Sequence, residues 1–292
     1  MLETIINPNK AERRPWELFF IGLVYGLFSV FLVDWLFLRN PVFTQYSSIL
    51  IVTFAVMLCT PFVYYTMRYE EQKDVMIKKE TTLIKEHGKA LLVFLFLFLG
   101  MLVAFSLAYI LLPQDMASQN FKIQTEQYCS MNMPDSYNKC IEQYLGSSDG
   151  ITGQAVTSSA VNWGRVLSIF ENNIFVLIFC LLFSLAFGSG AIFILTWNAS
   201  VIAVAIGIFA KSSIIGFPMA FLRYMLHGLP EITAYFIAAL AGGIISIDII
   251  RHDLRERTFW RVMADSMDMI IIAIVVLFVA ALMEVFVTPN LF

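Results

Sequence analysis

The chain has 292 residues, 59% of them apolar and 14% charged, against about 45–50% and about 25% in an ordinary soluble domain. That composition excludes a soluble globular enzyme. A net charge of -3, with 19 Lys and Arg set in short clusters between apolar runs, also excludes the basic footprint of a nucleic-acid binder.

Crossing about 30 Å of hydrocarbon takes about 20 apolar residues as a helix. In chain order the first such run is 18–38, broken only by Asp34, followed by 46–67 with Pro61 near its end, and by 90–112. Residues 172–210 carry no charge, enough for two spans, with Trp197, Asn198 and Ser200 as the polar break of a predicted hairpin. Lys211 to His227, with Gly216, Pro218 and Arg223, is predicted as a broken or re-entrant segment. Runs 230–250 and 267–287 complete an all-α polytopic membrane protein of seven crossings.

Arg13 and Arg14 precede the first run, which is too long for a signal peptide and reads as a retained anchor. With the N-terminus cytoplasmic, thirteen of the 19 Lys and Arg fall on the cytoplasmic side, so the plasma membrane with the C-terminus outside is predicted. The clusters 73–89 and 251–268 read as amphipathic segments lying at the cytoplasmic headgroups. Cys129 and Cys140 sit in the one long polar loop, 113–161, on the outer side. A disulfide is expected there, two free thiols being the alternative.

Small residues four apart let helix backbones approach in lipid. Ser184 with Gly188, Ala186 with Gly190, Ala238 with Gly242 and Ala239 with Gly243 predict a tight bundle from residue 174 onward, with the first two spans peripheral. Polar residues within spans are costly and mark function or pairing. Asp34, Glu171, Asn172, Asn173, His227, Glu231 and Glu284 all fall toward the outer ends of their spans and are expected in one layer. Pro230 suits the first turn of a helix, with Glu231 meeting the positive end of its dipole. A capping network is the expected role. A proton relay or a divalent metal held by His227 and Glu231 is the alternative, and no metal or cofactor is predicted.

Phe170-Glu171-Asn172-Asn173 opening a helix, Gly188 and Gly190 within it, Asn198, His227-Gly228 with Glu231, and Ala241-Gly242-Gly243 together resemble the stage II sporulation protein M family. The resemblance covers 90–292, a five-helix core with its loop at 113–161, and makes 1–89 an added helix pair with a cytoplasmic amphipathic loop. It implies a non-enzymatic membrane component of envelope remodelling. In spore formers the family's namesake helps anchor cell-wall-cutting enzymes during engulfment. The implied partners are the lipid bilayer and other envelope proteins or a second copy of the chain.

An intramembrane enzyme fares worst among the classes considered. The chain has no His-Glu-x-x-His, no phosphate loop and no Cys-x-x-Cys. Ser189 and His227 fall at opposite ends of their spans, about 25 Å apart, too far for a catalytic pair. A scaffold is the leading expectation and a small-solute or ion transporter the alternative.

Overall fold

The computed structural model describes residues 7–37, 40–77, 80–133, 136–145, 163–210, 214–251 and 257–291. Among them the regular elements are helical, and seven helices are long and apolar enough to cross a membrane. The protein is an all-α integral membrane protein. Lys211, which the sequence places at the start of the broken segment, and residues 146–162 of the polar loop lie outside the described residues.

Helix α1 (Pro8–Arg13) is capped by the Asn7 side chain, which accepts from the Lys10 amide, and Pro8 occupies a first-turn position that needs no donor. Helix α2 (Glu17–Phe37) makes the first crossing, and α3 (Pro41–Thr44), capped by Asn40, turns the chain into α4 (Ser47–Met76). Helix α5 (Glu80–Leu111) follows. With 30 and 32 residues, α4 and α5 are about 45 and 48 Å long, well beyond the hydrocarbon. Cluster 73–89 is therefore not a segment lying on the membrane. All but its middle is the charged prolongation of two spans, which pair with each other.

Three short helices, α6 (Gln114–Asn120), α7 (Lys122–Asn132) and α8 (Tyr137–Leu145), cover one end of the bundle. Cys129 of α7 and Cys140 of α8 form a disulfide, with Cα atoms 5.8 Å apart. Helix α7 is seated on the spans: Phe121 and Gln124 are fully buried, and the Gln124 amide donates to the Ser48 carbonyl at 3.3 Å and the Ser200 hydroxyl at 3.2 Å. We refer to this as the disulfide end and to the other, where α1 lies, as the N-terminal end.

Helices α9 (Trp163–Phe187) and α10 (Ala191–Ala210) form the predicted hairpin, but the turn is at Gly188-Ser189-Gly190, not at Trp197 to Ser200. Gly188 has φ +65°, a left-handed conformation that ends a helix at little cost only when Cβ is absent. Gly188 and Gly190 are thus turn residues and do not lie on one helix face with Ser184 and Ala186. After the short 3-10 turn Ile214–Gly216, helix α11 (Phe217–Arg251) runs for 35 residues with Pro230 inside it. The interruption therefore lies between two spans, and Pro230 does not start a helix.

Helix α12 (Arg257–Leu282) gives way to a π-helical turn, Met283–Val287, and then to α13 (Thr288–Leu291). Pro289 has no N–H, and its ring crowds the Val285 carbonyl four residues back. Widening one turn relieves that crowding. The Thr288 hydroxyl donates to the Met283 carbonyl at 3.2 Å across the wide turn.

Helix α11 is the most buried span, whereas α9 and α12 are the least buried. A Cβ on Gly242 would lie 2.8 Å from the Leu181 carbonyl oxygen, and one on Gly243 2.9 Å from that of Gly188, so α11 meets the hairpin backbone to backbone. The first two spans also pack closely on the bundle. Helix α2 packs on α5 through Gly22 and Gly100, where any Cβ would run into the Leu97 and Phe19 carbonyls respectively. That close pair is made by glycines in spans otherwise rich in Phe and Leu, whose bulk hides the motif.

Candidate functional site

A cleft of about 640 Å³ opens at the disulfide end, where the loop helix α7 stands beside α9, α10, α11 and the π turn. Asn173 and Glu231 lie on its floor: the Asn173 amide donates to Glu231 Oε1 at 2.7 Å, and the Asn172 amide donates to Asn173 Oδ1 at 3.4 Å. Two asparagines thus relay donors from the α9 surface to a carboxylate of α11. Glu231 lies 14 residues into its helix, far from the amides of the N-terminal turn, so its stabilisation comes from Asn173 and not from a helix dipole.

His227, one turn before Glu231, points its Nδ1 at the Thr288 hydroxyl, 3.2 Å away. That hydroxyl already gives its proton to Met283 O, so it accepts from the imidazole, which fixes the proton on Nδ1 and leaves Nε2 as an acceptor. Thr288 was invisible as a site residue because an isolated threonine near a chain end carries no pattern. The π turn, frequent at functional positions, sets Glu284 in the same cleft. Arg165 and Arg223 line it from α9 and α11, and the Arg223 guanidinium stands over the Phe209 ring, 5.5 Å from its centre.

Tyr128 of the loop helix closes one side. Its ring meets Tyr144 edge-on at 6.2 Å, and burial, then the neighbouring Tyr224 hydroxyl, holds its phenol above the usual range. The disulfide therefore secures the wall that carries Tyr128.

Not every residue expected in the polar layer converges here. Asp34 belongs to a separate contact, accepting from the Asn120 amide at 2.8 Å where α2 meets the loop helices. Glu171 is exposed. The cleft brings together Asn172, Asn173, His227, Glu231 and Glu284. Among the described residues, no three His, Cys, Asp or Glu side chains stand in an arrangement that could hold a metal ion.

A second polar assembly occupies the N-terminal end, and sequence reasoning missed it. Lys73 Nζ donates to Glu12 of α1 at 2.6 Å and to Glu70 at 2.7 Å, with Glu86 at 3.7 Å. His87 of α5 stands between two carboxylates, Nδ1 2.8 Å from Glu70 and Nε2 3.5 Å from Asp74, both of them fully buried. Arg261 of α12 donates to the Asp74 and Val75 carbonyls at 3.0 and 2.8 Å, satisfying the C-terminal turn of α4. The arrangement ties α1, α4, α5 and α12 into one ion network. The signal available in the sequence was Glu70-x-x-Lys73-Asp74, which puts opposite charges on one helix face.

Comparison with curated proteins and with solved structures gives no match. A family model does match, described as Stage II sporulation protein M, and it covers residues 17–289. The match begins at Glu17 and so takes in the first two spans together with the five that follow, as well as the cleft residues of all four spans that contribute to it. The chain belongs to the stage II sporulation protein M family.

Proposed function

We propose that this protein is a non-enzymatic scaffold of envelope assembly, set in the plasma membrane with its N-terminal end in the cytoplasm and its disulfide end outside. The orientation rests on the Lys and Arg asymmetry and on the oxidised cysteine pair, which suits an extracytoplasmic compartment.

The observation that carries the scaffold reading is the blind end of the cleft. Below Glu231, helix α11 presents Tyr235, Ala238, Ala239 and Gly242, all buried, and then meets α9 backbone to backbone. A recess with a closed floor suits holding a group better than passing one. Photo-crosslinkers at the exposed Trp163 and Leu167, on the helix that forms one wall, should trap a defined set of envelope proteins that also copurifies in mild detergent. A protein that yields no adduct and purifies alone would count against a scaffold.

Transport is the second reading, favoured by charged residues gathered inside a membrane bundle. It is separated by flux: purified protein in liposomes should pass neither ions nor small solutes. A saturable flux abolished by Arg223→Gln would replace the scaffold with a transporter.

A further inference from the structure

Among the described residues neither Arg165 nor Arg223 has an ion-pair partner, and Glu284 has no hydrogen-bond donor, although all three face the same cleft. Glu231 has only the neutral amide of Asn173. Charges in a membrane bundle ordinarily pair with one another, as they do at the N-terminal end of this chain. Here two cations and two carboxylates line a common space without meeting. A ligand with charges of both signs would satisfy all four.

Position narrows the ligand further. Helices α9 and α12, which carry Arg165 and the π turn with Glu284, are the least buried spans, and they expose Phe175, Ile178, Val275 and Val279. The cleft is thus bordered by apolar helix surface suited to acyl chains. Its volume of about 640 Å³ lies in the range of small-molecule sites, enough for a headgroup and too little for a whole lipid. Guanidinium groups match phosphate oxygens, and carboxylates match a primary ammonium that can still donate hydrogen bonds.

We propose that the cleft holds the headgroup of a phospholipid bearing a phosphate and a primary ammonium, with Arg165 and Arg223 on the phosphate, Glu231 and Glu284 on the ammonium, and the acyl chains lying along α9 and α12. This goes beyond the scaffold reading and does not depend on it, because the measurement needs only the purified full-length chain.

The chain in detergent is titrated with dioleoylphosphatidylethanolamine, dioleoylphosphatidylcholine and dioleoylphosphatidylglycerol, and bound lipid is read by native mass spectrometry. The ethanolamine lipid should bind at least about ten-fold more tightly than either of the others. The choline lipid keeps the positive charge but cannot donate from its nitrogen, and the glycerol lipid has no cation. Glu284→Gln should bring the three lipids within about two-fold, whereas Arg223→Gln, which touches the phosphate common to all three, should weaken each of them by about ten-fold and leave their order unchanged. Arg165→Gln, on an exposed side chain with little bearing on folding, should weaken all three lipids in the same way should Arg223→Gln fail to fold, and Glu231→Gln gives the reading of Glu284→Gln should that variant fail. Equal binding of the three lipids by the wild type, a preference that survives the carboxylate substitutions, or lipid binding unchanged by the arginine substitutions would overturn the proposal. Soluble phosphoethanolamine is the remaining arm. At about 1 mM, a weak ligand's concentration, it should leave the bound lipid in place, and displacement would assign the site to a soluble ligand and overturn the lipid.

Discussion

The two ends of the bundle treat charge in opposite ways. At the N-terminal end Glu12, Glu70, Lys73, Asp74, Glu86 and His87 lie within salt-bridge reach of one another, and Arg261 is spent on backbone carbonyls. At the disulfide end Arg165, Arg223 and Glu284 share a cleft and form no salt bridge among the described residues. The first arrangement pairs its charges within the chain and serves the fold. The second is left open to something outside the chain, although both lie at membrane boundaries and both use residues that are costly in lipid.

The comparison breaks most sharply under single substitutions. Glu70→Ala removes a shared partner of Lys73 and His87, leaving Lys73 to Glu12 and Glu86 and His87 to Asp74 at 3.5 Å, and breaking a buried pair in this way typically costs about 3–5 kcal/mol. Glu284→Gln breaks no internal bond and should move stability by no more than about 0.5 kcal/mol. Thermal unfolding of the two variants in one detergent measures the difference. Equal losses would mean that Glu284 is as structural as Glu70.

The disulfide tests whether the cleft depends on its cover. Replacing Cys129 and Cys140 by Ser releases the α7–α8 link, an effect of about 2–4 kcal/mol by the usual loop-closure argument. Hydrogen exchange should rise across α7 and α8 and stay unchanged at the ion network. A uniform rise would show that the two ends are one cooperative unit.

Helix α11, which joins the ends, contains glycines of two kinds. A Cβ on Gly243 would stand 2.7 Å from Met67 Sδ and 2.9 Å from the Gly188 carbonyl, whereas on Gly228 its nearest neighbour would be the flexible Met225 tip at 3.6 Å. Gly243→Ala should therefore destabilise by about 1–3 kcal/mol. Gly228→Ala should stabilise by about 0.4–1 kcal/mol, because the open site lets the change act through the unfolded chain alone. Opposite signs in unfolding midpoints are the expected result.

The sequence made the spans legible because hydropathy over about 20 residues is a property of composition, and the cysteine pair was legible from its place in a polar loop. The hairpin turn was misplaced for a local reason. Asn198 and Ser200 look like a break, yet each returns its side chain to its own helix, Asn198 to the Ile194 carbonyl at 2.8 Å and Ser200 to that of Trp197 at 2.7 Å. The real turn was spent on a packing motif, since Gly188 and Gly190 have the spacing of small residues on a helix face. Pro230 likewise suggested a helix start and lies inside a helix. Of the cleft, Asn173 with Glu231 could be anticipated because both fall at the same depth. Thr288 and the two arginines could not, since nothing local marks which charges will find no partner. The ion network was hidden for the complementary reason: Lys73 reaches Glu12 across 61 positions and His87 reaches Glu70 across 17, and such pairings exist only once α1, α4 and α5 have packed.

The smallest expected effect concerns how firmly the network holds α1. Glu12 is the one member of the network outside the spans, and its carboxyl is raised from its ordinary 4.5 to about 7, first by burial and then by Glu70 beside it, with Lys73 pulling the other way. A raised acid keeps its proton in the docked state at pH values where the free segment has lost it. Docking of α1 is therefore strongest below 4.5 and weakens as pH rises toward about 7, with the full loss reached above that value. The groups facing Glu12 are Glu70 and Lys73 of α4, and Lys73 in turn approaches Glu86 of α5. Exchange of the α1 amides, corrected for its intrinsic pH dependence, should report rarer opening at about pH 5 than at about pH 8. Glu12→Gln cannot ionise and should flatten that difference while leaving the cleft's lipid preference unchanged. If the wild-type segment instead opened more at low pH, the Lys73 contact would outweigh burial, and Glu12 would belong with the ordinary surface ion pairs.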